Sequence, residues 1–147
     1  MKGDLRYTLS DVFETFPLPE LTVEMRSMGG RLDSYRRELM LARQAGLTKT
    51  YNLVHDQRCK DSDIAGLREL HQQIDHVVAQ AYGWHELDLD HGFHETRQGM
   101  RYTIGPETRQ EILDRLLELN HERYAAEVAA GLHKTVKKAS SAEARLL

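Results

Sequence analysis

A chain of 147 residues, 40% of them apolar, has the size of one ordinary domain and carries enough apolar side chains for a modest core. Its net charge of −3 excludes a protein that coats nucleic acid through overall basicity, while leaving room for a local basic face. The single cysteine, Cys59, cannot form an internal disulfide, and no stretch reads as a secretory signal or a membrane span, so a cytoplasmic location without membrane contact is the expectation.

Residues 1–20 show no helical or strand period and read as a short irregular connector of turn and anchor residues, among them Tyr7, Phe13, Phe16, Pro17 and Pro19. From Leu21 the apolar residues fall at Leu21, Met25, Met28, Leu32, Tyr35, Leu39 and Ala42, alternating steps of four and three, which predicts an amphipathic helix running to Ala45. Gly46 is placed to end it as a C′ glycine, and the Gly29–Gly30 pair, off the apolar seam, marks a close approach or a bend. The stretch from Leu47 to Asp63 reads as a connection.

A second helix starts at a cap supplied by Asp61, Ser62 or Asp63, with Ile64, Leu67, Leu70, Ile74, Val77 and Ala81 on one face, and Gly83 stops it. Trp84 to Gly105 reads as a long loop, with a short strand at Met100 to Ile104; loops of this length often bind or dock. Pro106 opens a third helix that extends to Ala130, with Glu107 and Glu111 near its positive end and an apolar stripe from Ile112 to Tyr124. Residues 131–147 are basic, then small and polar, and are expected to fray. The expected fold is therefore mainly α: three long amphipathic helices with long connections, over residues 21–130, sharing one core as an antiparallel bundle or leaving their seams for a partner.

The loop concentrates His85, Glu86, Asp88, Asp90, His91, His94 and Glu95. His91 and His94 are a weak metal-ligand pair, usable only if the segment is helical or tightly turned, and no further spaced Cys/His pair accompanies them. A metal-dependent nuclease site built on Asp88 or Asp90 with Glu95 has Arg97 where a lysine is needed. G-x-S-x-G, a phosphate-binding glycine loop and a dinucleotide fingerprint are all missing from the sequence, so no catalytic residue is assigned. Nucleic-acid contact is better supplied. Arg26, Arg31, Arg36, Arg37, Arg43 and Lys49 lie on the first helix and its exit, with Arg26 and Arg37 together opposite the apolar seam, where planar guanidinium groups suit phosphate oxygens. The competing reading is a solvated face balanced by Glu24, Asp33 and Glu38, and Lys134, Lys137 and Lys138 add at most a loose contact.

The run LRYTLSDVFETFPLP resembles the segment that closes the target-recognition domain of MmeI-like and type IIG restriction–modification methylases. The runs RRELMLARQAGLTKTYNLVHD, LRELHQQIDHVVAQAYGW and HGFHETRQGMRYTIGPETRQEILDRLLELNHERYA resemble successive pieces of the C-terminal region of the same proteins, in the same order, so the resemblance spans Leu5 to Ala125. It implies a parent enzyme that uses S-adenosylmethionine to methylate the exocyclic amine of adenine in duplex DNA, sometimes fused to a nuclease. The family's glycine-rich cofactor motif and its Asn-Pro-Pro-Tyr-type motif are missing here, so no cofactor or catalytic residue carries over. The chain is then expected to be a non-catalytic C-terminal module that supports DNA target recognition, with the methyltransferase core and target-recognition domain as partners. The alternative expectation is a stand-alone helical interaction module, such as a homodimer, with no DNA involved.

Overall fold

The computed structural model describes residues 16–132, so the connector anchors Tyr7 and Phe13 and the lysines of the basic tail lie outside the described residues. The chain is mainly helical. Its elements are α1 (Val23–Ala42), α2 (Leu47–His55), α3 (Ser62–Ala81), β1 (Gly92–Thr96), β2 (Gly99–Thr103) and α4 (Pro106–Ala129). Two compact units divide it, one of Leu18–Arg115 and one of Met1–Pro17 with Leu116–Leu147. Among the described residues, no helix is long and apolar enough to cross a membrane.

In the larger unit, Thr22 caps α1 by accepting the Met25 amide at 3.1 Å, which satisfies one of the free donors of the first turn. The helix stops at Ala42, three residues before the sequence expectation. Gln44 takes the left-handed turn, at φ 49°, and Gly46 is instead extended and serves as the N-cap of α2. That nine-residue helix occupies ground that reads as a connection in the sequence. Thr50 and Val54, one turn apart, become its buried face, and the Thr50 hydroxyl donates to the Gly46 carbonyl at 3.1 Å.

The core joins three helices. Leu39 of α1, Val54 of α2, and Ile64 and Leu67 of α3 are buried together, with Leu32, Tyr35, Tyr51, Leu53, Cys59 and Tyr102 packed at its edge. Within the larger unit the core is built from α1, α2 and α3, with the short α2 where the sequence reads as a connection, and α4 contributes a single buried residue, Thr108. Close helix packing occurs at Gly66, where the Tyr35 ring of α1 lies over α3 and its hydroxyl donates to the Asp63 carbonyl at 2.9 Å. The expected close approach at Gly29 and Gly30 does not occur, since a Cβ at either position would meet no atom within 4 Å. Arg43 fastens the end of α1 to the start of α3 through Asp63, at 2.5 and 2.7 Å, and Asp61, at 2.7 Å.

The segment from Trp84 to Gly105 is more ordered than its sequence suggests. Leu87 and Leu89 are buried, and β1 pairs antiparallel with β2 in the register Phe93↔Tyr102 and Glu95↔Met100. Gly99, at φ 92°, supplies the left-handed position that the tight turn requires. The expected strand at Met100 to Ile104 is β2; its partner had no alternating pattern to announce it. Thr108, in the first turn of α4, donates to the Asp88 carbonyl at 2.9 Å and ties that turn to the loop.

In the smaller unit, the described residues are Phe16, Pro17 and Leu116–Leu132. Leu117, Tyr124 and Val128 recur there at helical spacing and are 56%, 58% and 49% exposed.

Candidate nucleic-acid interface

Arg68 of α3 positions the surface from beneath. It is 8% exposed, and its guanidinium donates to the carbonyls of Val54 (2.9 Å), Leu53 (3.0 Å), Asp56 (2.9 Å) and Cys59 (3.0 Å). A helix leaves its last carbonyls unpaired and carries partial negative charge there, so a planar cation with five donors both caps α2 and compensates its dipole. The other side of the group packs against Phe93 and Tyr102, 5.0 and 5.6 Å from their ring centres. Arg68 thereby fixes α2 against the hairpin.

Between these two elements lies an open groove of about 890 Å³. Tyr51 and His55 of α2 line one side, with Arg101 and Tyr102 of β2, Arg97 in the hairpin turn and Arg109 in the first turns of α4 on the other. His55 accepts the Tyr102 backbone amide on Nδ1 at 3.2 Å, so the neutral ring carries its proton on Nε2. Tyr51 is held by a 2.9 Å hydrogen bond between its hydroxyl and His71 Nε2, and its ring meets the His71 ring edge-on at 5.6 Å. Neither Arg97 nor Arg101 forms an ion pair among the described residues, and the Arg109 guanidinium reaches only the Thr103 hydroxyl at 3.5 Å. Glu95 is the one acid of the lining. Three guanidinium groups against one carboxylate give the groove's lining an excess of positive charge.

Burial pushes the His55 imidazole below its ordinary value of 6.5, helped by Arg101, and burial does the same to His71 against the pull of Asp75. Between the ordinary value and the lowered folded-state value, the unfolded chain binds more protons than the folded one, so stability rises with pH there. Thermal midpoints should therefore fall as pH drops below 6.5, and His55→Gln with His71→Gln should flatten that slope. Carboxylates such as Asp63, held low chiefly by Arg43, lose their contribution only in the more acidic carboxylate range. An equal slope in the double variant would contradict the assignment.

The arginines expected from the sequence are not gathered in this way. Arg26 and Lys49 are exposed. Arg37 and Arg36 both meet Asp33, at 2.9 and 3.6 Å, and Arg43 is committed to Asp61 and Asp63. Arg31 leans on the Met28 sulfur at 3.3 Å. Salt bridges at i,i+3 and i,i+4 are weak, so Arg36 and Arg37 could exchange partners, whereas Arg43 has two carboxylates to leave.

His91 and His94 do not converge. The segment is not helical: His91 precedes β1 and His94 lies within it, and each ring has its own partner. His91 pairs with Asp75 at 2.9 Å beside the His76 ring, while His94 Nε2 lies 2.9 Å from the Asp90 carbonyl. Among the described residues, no group of three His, Cys, Asp or Glu is arranged to hold a metal. Sequence reasoning passed over Arg97, Arg101 and Arg109 as groove residues because they come from three elements. The Arg97/Arg101 spacing, two residues on either side of Gly99 in a hairpin, was the one available signal.

Comparison with protein-family models, with curated proteins and with solved structures finds no significant match to the chain.

Proposed function

We propose that this chain is a non-catalytic helical module of an adenine-specific, S-adenosylmethionine-dependent DNA methyltransferase of the restriction–modification type, and that it supports target recognition by holding DNA phosphates. The membership rests on the ordered runs from Leu5 to Ala125 that resemble the C-terminal region of such enzymes. In this reading the cofactor and the chemistry belong to the methyltransferase core. The observation that carries the DNA role is the groove, where Arg97, Arg101 and Arg109 line one concave surface with no carboxylate partner among the described residues. Phosphate contacts of this kind position a protein on DNA without reading its sequence.

A gel-shift titration at several salt concentrations tests it. Binding should weaken with salt, with a slope of about 0.7–0.9 in log K per phosphate engaged. Arg97→Ala, Arg101→Ala and Arg109→Ala together should weaken binding at least ~10-fold and reduce the slope by about 2. The pair Arg26→Ala and Arg37→Ala is the comparison: loss of binding there, with the groove variant unchanged, moves the contact to α1 and overturns the groove. Turnover of labelled S-adenosylmethionine on adenine-containing duplex by this chain alone would overturn the non-catalytic assignment.

A second reading, a helical interaction module, is favoured by Leu117 and Val128, which are exposed on one face of α4 in the smaller unit. A stable homodimer in sedimentation that is indifferent to DNA would select it.

A further inference from the structure

We propose that the groove takes an unpaired DNA strand, with its phosphates on Arg97, Arg101 and Arg109 and a base against the ring of Tyr51. This rests on the DNA-binding reading and goes beyond it in naming the form of DNA that the groove accepts.

Two features of the groove select an unpaired strand. The first is its concavity. A stiff duplex is too wide to sit inside a recess of about 890 Å³ between a nine-residue helix and a hairpin and could only lie across its mouth, whereas a single flexible backbone can enter it. The second is its aromatic lining. Base faces are stacked on one another inside a duplex, and only an unpaired strand offers them to a protein ring.

Tyr51 suits this role because it is already held. Its hydroxyl is bound to His71 and its ring packs beside His71 and His55, at centroid distances of 5.6 and 6.4 Å, so little freedom is lost when a base settles on it. It is half-buried and lines the groove on the side facing the arginines. Tyr102 is less available, since its ring is engaged edge-on by Phe93 and its hydroxyl by Gln72. Asn52 and Gln98 add side-chain amides at the lining, able to meet base edges of any kind through a donor and an acceptor. Stacking supplies little sequence preference, so recognition here is of strand form.

Fluorescence anisotropy with the intact chain tests this, using a labelled 20-nucleotide mixed-sequence strand and the same strand annealed to its complement. The single strand should bind at least ~10-fold more tightly than the duplex. Tyr51→Leu should lower single-strand affinity about 5- to 10-fold and leave duplex affinity unchanged, while the triple arginine variant weakens both. Duplex binding as tight as single-strand binding, in the unaltered chain and needing no variant, overturns the preference and leaves the phosphate-holding reading intact. Binding to neither overturns both. If Tyr51→Leu retains its helical circular dichroism and binds the single strand as tightly as the unaltered chain, the stacking role is overturned.

Discussion

Replacing Arg68 by methionine should destabilise the folded chain by about 3–5 kcal/mol, with methionine chosen to keep most of the side-chain volume. The loss comes from the carbonyls of Leu53, Val54, Asp56 and Cys59, each of which now accepts from the guanidinium at 2.9–3.0 Å. Buried acceptors left unpaired cost about 1–3 kcal/mol each, but water entering the gap and relaxation of the last turn of α2 would recover part of the sum. Even the reduced figure is a large share of the roughly 5–15 kcal/mol that holds a domain of ordinary size. Arg68→Lys should recover less than half of the loss, because an ammonium cannot reach four carbonyls in a planar fork. Urea unfolding followed by circular dichroism measures both. A methionine variant within about 1 kcal/mol of the unaltered chain would show that α2 is held by its apolar contacts alone.

The variant also bears on binding. Arg68 does not line the groove, yet it is the group against which α2, Phe93 and Tyr102 are set. Under conditions where the methionine variant remains folded, its DNA affinity should fall with the groove's shape even though Arg97, Arg101 and Arg109 are all present.

Gly66→Ala should cost about 2 kcal/mol, although alanine in a helix interior is ordinarily favoured over glycine by about 1 kcal/mol. The new methyl group would overlap the Tyr35 hydroxyl and stand 3.1 Å from its Cζ. Tyr35 cannot simply swing aside, since its ring packs on the core and its hydroxyl is bonded to the Asp63 carbonyl. A compensating substitution makes the argument specific. Tyr35→Phe alone should destabilise by about 1 kcal/mol through loss of that hydrogen bond, but in the Gly66→Ala background it should restore stability by a similar amount. Thermal or urea unfolding of the four proteins in the cycle gives the coupling. Strict additivity would mean that α1 and α3 shift apart to absorb the methyl group, with no contact between the two side chains.

Much of the helical framework was legible before any coordinates. The four-and-three spacing from Met25 to Leu39 and the Ile64, Leu67, Leu70 face are local patterns of amphipathic helices, although the first helix begins at Val23 and leaves Leu21 outside it and exposed, and Gly83 and Pro106 mark ends through their backbone conformations alone. The short α2 was not legible. Its nine residues span little more than two turns, and Thr50 is polar by composition yet fully buried because its hydroxyl finds the Gly46 carbonyl within its own helix. Gly46 was read as the end of one helix when it begins the next, because glycine is permissive enough to serve either end. Gly66 gave no sign of its tight contact, which depends on a ring 31 positions earlier in the chain.

The sequence by itself determined that the chain is mainly helical, that its second and third long helices begin beside Asp61 and at Pro106, and that Arg26 and Arg37 lie opposite the apolar seam of the first, because periodicity and capping act over a few residues. Only the tertiary structure decided which of those charges are already spent. Arg36, Arg37 and Arg43 meet carboxylates, Arg68 is buried on carbonyls, and Arg97, Arg101 and Arg109 are left facing one groove. The reason is physical: a guanidinium group's role depends on what lies within about 3 Å of it in space, and those neighbours come from elements far apart along the chain.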